Sequence, residues 1–131
     1  MIEEALRYEI MQAVPELTDE IYPTNAPETC IKPYLVYTRI KTDKTKTLEG
    51  YANLQALSFM FSIHATKYKE MTAIRDKVEN FLLSIPKRSI GENEEVYIED
   101  LDINNVTETW EPSLKVNRGI IDFTIYFEEV K

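Results

Sequence analysis

The apolar positions of this chain switch between two periods along its length. Ile2, Leu6, Ile10, Ala13 and Leu17 recur at three- and four-residue spacing, which is the stripe of a helix with one buried face. Glu3 and Glu4 lie in its first turn, where the positive end of the helix dipole favours them. Pro15 lacks an N–H and biases Val14 away from helical angles, so the helix is predicted over 2–14. A connector over 20–34 carries Pro23, Pro27 and Pro33, with Glu20-Ile21-Tyr22 as a short edge strand. Tyr34 to Thr42 then alternates: Tyr34, Val36, Thr38 and Ile40 on one face, Leu35, Tyr37, Arg39 and Lys41 on the other. The Lys/Thr-rich run that follows, to Gly50, reads as a long exposed hairpin loop.

Period two is clearest over 54–65, where Leu57, Phe59, Phe61, Ile63 and Ala65 alternate with Ser58, Met60, Ser62 and His64. Residues 67–85 return to the helical period through Met71, Ile74, Val78, Phe81, Leu82 and Ile85. Thr66 is placed to cap this helix and Pro86 to end it. A strand over Glu94 to Ile103 changes its inward face between Ile98 and Leu101, the signature of a bulge. Trp110 and Pro112 are assigned to the following turn. The last strand, Gly119 to Glu128, points Ile121, Phe123, Ile125 and Phe127 one way and Ile120, Asp122, Thr124, Tyr126 and Glu128 the other. The order helix, strand pair, helix, strand pair predicts an α+β fold. Short connections favour a mainly antiparallel sheet of four to five strands with two helices packed on one face.

The totals sharpen this picture without changing it. With 131 residues, 44% hydrophobic and 29% charged, the chain is expected to form a single domain, 1–131, with its own core. Cys30 is the one cysteine, so neither an internal disulfide nor a thiolate metal cage is expected. No apolar run approaches a membrane span, and the acidic start at Met1-Ile2-Glu3-Glu4 does not read as a signal peptide. The net charge of −8 argues against tight general binding to nucleic acid, which needs clustered Lys and Arg. It is compatible with an acidic wall past which DNA slides.

Residues that do chemistry are scarce. Gly50, Gly91 and Gly119 are too far apart in sequence to form a phosphate cradle. His64 is the one histidine; its strand parity turns it away from the helices, where a surface or interface role is the ordinary one and general-base work the sharper one. Cys30 has only Lys32 nearby to lower its pKa and reads as a small, semi-buried residue. No catalytic, cofactor or metal residues are therefore expected.

Surfaces are more informative. The segment 92–111 holds eight carboxylates and no Lys or Arg. It includes Glu99, Asp100 and Asp102, which read either as a solvated face or as a dock for a basic element. Lys41, Lys44 and Lys46 supply such an element at one end of the domain. Two unlike charged patches suit a head-to-tail contact that closes into a ring. If the helices cover Val36, Phe59, Phe61, Ile121, Phe123 and Ile125, the opposite sheet face shows Leu35, Tyr37, Met60, Ile120 and Tyr126. That face is apolar enough to expect a partner, or a covering segment such as 20–33.

Taken in order, the chain runs from an N-terminal helix through Ile21-Tyr22-Pro23, Ala26-Pro27 and Pro33-Tyr34-Leu35-Val36. The polar hairpin then leads into Leu57-Ser58-Phe59-Met60-Phe61-Ser62-Ile63. A helix over Tyr68–Leu83, an acidic strand and a Trp turn precede Arg118-Gly119-Ile120-Ile121-Asp122-Phe123-Thr124-Ile125. Over nearly its whole length this resembles the tail completion (tail terminator, head–tail joining) proteins of long-tailed bacteriophages and prophages. The resemblance implies a non-enzymatic virion subunit, assembled in the bacterial host cytoplasm, with no cofactor and no membrane association. It implies a homo-oligomeric ring, typically six-fold, that caps the tail tube, stops its polymerisation and meets the head connector. Its partners would be itself, the tail-tube protein and the connector protein, with DNA passing through the lumen without sequence-specific binding. The alternatives are another connector or minor tail component, an adaptor in an unrelated bacterial complex, or a small ligand-binding or enzymatic domain using His64.

Overall fold

The structure is a computed structural model that describes residues 2–17, 20–23, 33–44, 55–112 and 115–129, with backbone only for 41–44 and 129. Helix α1 (Ile2–Ala13) is followed by a single 3-10 turn at Pro15–Leu17 and strand β1 (Ile21–Pro23). Strands β2 (Tyr34–Lys44) and β3 (Gln55–Ala65) lead to helix α2 (Tyr68–Ser84). Strands β4 (Arg88–Ile90), β5 (Val96–Glu111) and β6 (Val116–Glu129) complete the described elements. The strands form one sheet in the order β1-β2-β3-β6-β5-β4. Only the β1–β2 pair is parallel; the other four pairs are antiparallel.

Each element follows from its local chemistry. Pro15 stops α1 as expected, and the chain turns through Leu17, whose N–H donates to the Val14 carbonyl at 3.0 Å. Leu17 is buried, so the turn is anchored by a core side chain and not by backbone bonds alone. The bond from the Leu35 N–H to the Glu20 carbonyl at 2.9 Å then seats β1 on the edge of β2. α2 starts without a side-chain cap: the capping position is Lys67. Thr66, assigned that role from sequence, instead accepts a hydrogen bond at its carbonyl from Asn117 Nδ2 (3.1 Å).

The core lies between the helices and one sheet face. It is built from Ile2, Leu6 and Ile10 of α1, Met71, Ile74, Val78 and Leu82 of α2, and the inward residues of the strands. Phe123 is fully buried, with Phe59 stacked at 5.7 Å and Phe61 edge-on at 4.7 Å. Gly119 permits the close approach of α2. A Cβ there would lie 2.6 Å from Met71 Sδ and 3.3 Å from Arg75 Cδ.

Four sequence expectations are corrected. The sheet has six strands: the short edge strand expected at Glu20-Ile21-Tyr22 is β1, and β4, at three residues, is too short to show alternation. β5 runs on through Asn104 and Asn105 to Glu111, so Trp110 is in the strand and not in the turn. The polar pair is absorbed by a register shift between Ile103 and Asn105; the shift expected after Ile98 is also present, between Ile98 and Asp100. Asp43 and Lys44, expected in the loop, continue β2 in register with Ala56 and Gln55.

The fourth correction concerns the faces of β2. Leu35 is fully buried in the core and Tyr37 packs against it, whereas Val36 is half-buried on the opposite face. Both faces of this strand are part apolar, so alternation yields two sets without saying which one is inside. The ladder decides it: Leu35 pairs with Ile63 and Tyr37 with Phe61, and residues directly opposite share a face.

Candidate assembly surfaces

The outer sheet face differs from the one expected, because Leu35 and Tyr37 lie inside and Tyr34 and Val36 take their place on it. Met60, Ile120 and Tyr126 remain on it and are half-buried. Between them run polar groups. Ser58 Oγ and Thr124 Oγ1 are hydrogen-bonded at 3.0 Å, and Asn104 Nδ2 donates to the same Thr124 oxygen at 2.9 Å. Asp122 stands beside Met60 in the ladder, and its Oδ1 is buried without a hydrogen-bond partner among the described residues.

At one end this face is closed. His64 is 8% exposed, so it is buried and not the surface residue expected. Its ring stacks on Tyr34 at 4.5 Å and 8°. Beside it, Arg118 Nε donates to Ser62 Oγ (3.0 Å) and Arg118 Nη1 to Glu111 Oε1 (3.2 Å). The arrangement is a packed, hydrogen-bonded end of a sheet. No group of three or more His, Cys, Asp or Glu able to hold a metal occurs among the described residues. Cys30 and Lys46 lie outside the described residues.

The acidic stretch of β5 divides by face. Glu99 is ion-paired to Lys87, and that carboxylate raises the Lys87 pKa. Asp100 and Asp102 are exposed and pair in the ladder with Tyr126 and Thr124. Asp100 Oδ1 accepts from the Leu101 N–H at 2.8 Å, and Asp102 Oδ2 from the Tyr126 hydroxyl at 3.3 Å. Lys41 and Lys44 occupy register positions opposite Ser58 and Gln55. The basic and acidic stretches thus lie on opposite flanks of one sheet, at the same end.

A second surface escaped the sequence reading. Glu108 pairs with Gly119 in the ladder, on the helix side of the sheet. There it accepts from the Tyr68 hydroxyl (2.7 Å) and from Arg75 Nη1 (2.8 Å). Those two bonds, with the guanidinium charge, hold the Glu108 carboxyl below its usual pKa, and the same carboxylate pushes the Tyr68 phenol up. Tyr68 and Trp110 are each about half exposed, as is Ile40 at the β2 bulge. The signal missed was Trp110 in a strand-prone Thr-Glu-Thr-Trp run, which the nearby Pro112 made look like a turn.

Tyr37, expected on the outer face, lies under α1. Burial raises its pKa first, with Glu3 adding to the effect. Glu3 is itself ion-paired to Arg39. No helix among the described residues is long and apolar enough to cross a membrane.

No protein-family model matches this chain. No curated protein matches it by sequence. Among solved structures, a chain in the virion of a native gene transfer agent particle is similar in fold. The TM-score is 0.63 over 97% of each chain, with 12% sequence identity. The likeness therefore extends over nearly the whole length of the chain.

Proposed function

We propose that this chain is a structural subunit of a tailed virion or phage-like particle. In the finer reading it forms a ring at the head-proximal end of the tail, ends tube polymerisation and joins the tail to the head connector. The observation that carries this is the end-to-end fold likeness to a chain of a gene transfer agent virion. It agrees with the tail-completion pattern of Tyr-Pro, Pro-Tyr-Leu-Val and the closing strand. The unlike charged flanks add a physical reason for ring formation, since a contact between two different patches repeats from copy to copy.

A non-enzymatic role fits the placement of His64. To act as a base it would have to leave its stack on Tyr34 and reach a substrate from an 8% exposed position. The working part is then the surface, and the partners are further copies, the tail-tube protein and the connector protein. Size measurement by light scattering, with the protein alone and with purified tail-tube or connector protein, tests the reading. Ring-sized particles or stoichiometric binding are expected. A strict monomer that binds neither refutes it.

A further inference from the structure

Each flank of the sheet ends in a long strand only partly covered by a short one. β1 covers β2 at Leu35–Tyr37, and the outer edge of Thr38–Lys44 has no strand partner among the described residues. β4 covers β5 at Val96–Ile98, and the outer edge of Glu99–Glu111 is likewise open. Open edges invite pairing with other chains, and bulges and charges blunt them. Both devices are present: a bulge between Arg39 and Lys41, and two along β5. The charges differ in sign. Arg39–Lys44 carries three cations and one carboxylate, whereas Glu99–Asp102 carries three carboxylates and no cation.

The ladder sets these two stretches at one height. Arg39, Phe59, Phe123 and Ile103 form a single row across the sheet. Lys41, Ser58, Thr124 and Asp102 form another, and Asp43, Ala56, Tyr126 and Asp100 a third. From this we infer that the two open flanks are halves of one contact between copies: Arg39–Lys44 of one copy faces Glu99–Asp102 of the next. The inference rests on the ring reading and names its seam. The occupant is a second copy because the complementary surface is on the same chain, on the opposite flank and over the same rows: Lys41 shares its row with Asp102, and although Asp43 shares one with Asp100, the two stretches are opposite in net charge. Successive copies then do not climb in the strand direction, which favours closure over an open filament. β1 and β4 stand out from the two flanks at opposite ends. The long strands are thus kept beyond the strand-pairing distance of about 4.8 Å, and side chains make the contact. Glu99 is already paired with Lys87 and Arg39 with Glu3, while Asp100 and Asp102 have no cation within 4 Å among the described residues. Those two aspartates are the carboxylates left for a neighbour.

The test uses two full-length double variants, Lys41→Glu/Lys44→Glu and Asp100→Lys/Asp102→Lys, studied by sedimentation at low salt beside the wild type. Each variant alone is expected to associate at least about tenfold more weakly, since exposed attractions become repulsions. An equimolar mixture is expected to recover association, because each altered flank then meets a complementary one. A first variant that associates like the wild type, or a mixture that fails to recover, overturns the seam and leaves the ring reading standing. A wild type that stays monomeric at millimolar concentration overturns the ring reading itself. Circular dichroism melts show whether both variants are folded. If either is not, Lys41→Gln/Lys44→Gln and Asp100→Asn/Asp102→Asn replace them; weakening without recovery on mixing is then expected, and unchanged association overturns the seam.

Discussion

Replacing Glu9 should loosen the attachment of α1 to the far edge of the sheet, by an amount that can be divided between its two oxygens. Oε1 accepts from Arg88 Nη2 at 2.9 Å, and Oε2 from the Gly91 backbone N–H at 3.1 Å. The Glu9 side chain is 16% exposed and that of Arg88 47%. The arginine can turn to water when its partner is lost, so its share is that of a surface pair, about 0.2–1 kcal/mol. Gly91 is buried, and an N–H left there without an acceptor costs about 1–3 kcal/mol. Glu9→Ala should therefore cost about 2 kcal/mol, mostly through Gly91. Glu9→Gln keeps a carbonyl oxygen for the Gly91 N–H and loses only the ion pair, so about 0.5 kcal/mol is expected. Urea unfolding at low and high salt measures both. The Gln variant should converge on wild type at high salt, since an exposed pair is screened, while the Ala deficit should persist. Equal losses in the two variants, or an Ala deficit that vanishes with salt, would refute the assignment of the larger share to the backbone amide.

Three further outcomes follow from the packing and charge. Gly119→Ala places a methyl against Met71 and Arg75. It should destabilise by about 1–3 kcal/mol, and Gly119→Ala combined with Met71→Ala should recover part of that loss in a double-mutant cycle. Phe123→Ala should cost about 3–5 kcal/mol, whereas Met60→Ala on the half-buried outer face should cost far less; comparable losses in chemical denaturation would contradict the face assignment. The Glu108 pKa is lowered in the folded state, so its stabilisation is present above the unfolded carboxylate value and is lost as pH falls through the folded one. Glu108→Gln should therefore flatten the acid limb of a stability–pH profile, and an unchanged limb would remove Glu108 from the acid response.

Much of this fold is legible in the sequence because strong periodicity leaves little choice. Phe59, Phe61 and Ile63 on β3 and Phe123, Ile125 and Phe127 on β6 separate cleanly from their polar alternates, and all six are buried. Alternation alone does not orient β2, because Val36 and Tyr34 are as apolar as Leu35 and Tyr37. Only pairing with β3, a non-local fact, selects the face. β4 was invisible because three residues cannot display a period. The length of β5 was hidden by Asn104-Asn105, which resembles a turn until a bulge accommodates it. The candidate surfaces were read in part. Charge gave the two flanks, but that they share sheet rows is a property of the ladder. Tyr68, Arg75 and Glu108 meet across 33 to 40 residues of chain, a distance that no local spacing could bridge.

The kink in β2 has a practical corollary for comparing this chain with longer or shorter versions of itself. Arg39 faces Phe59 and Lys41 faces the very next residue back, Ser58, so Ile40 has no opposite number. Deleting Ile40 would leave every remaining residue of that arm beside its present cross-strand mate; what would change is the direction in which the arm leaves the sheet. Removal of one residue between Tyr34 and Thr38 would instead turn the stretch on one side of the gap over, exchanging greasy side chains for wet ones. Single-residue length variation should therefore be tolerated at position 40 and rejected a few places earlier.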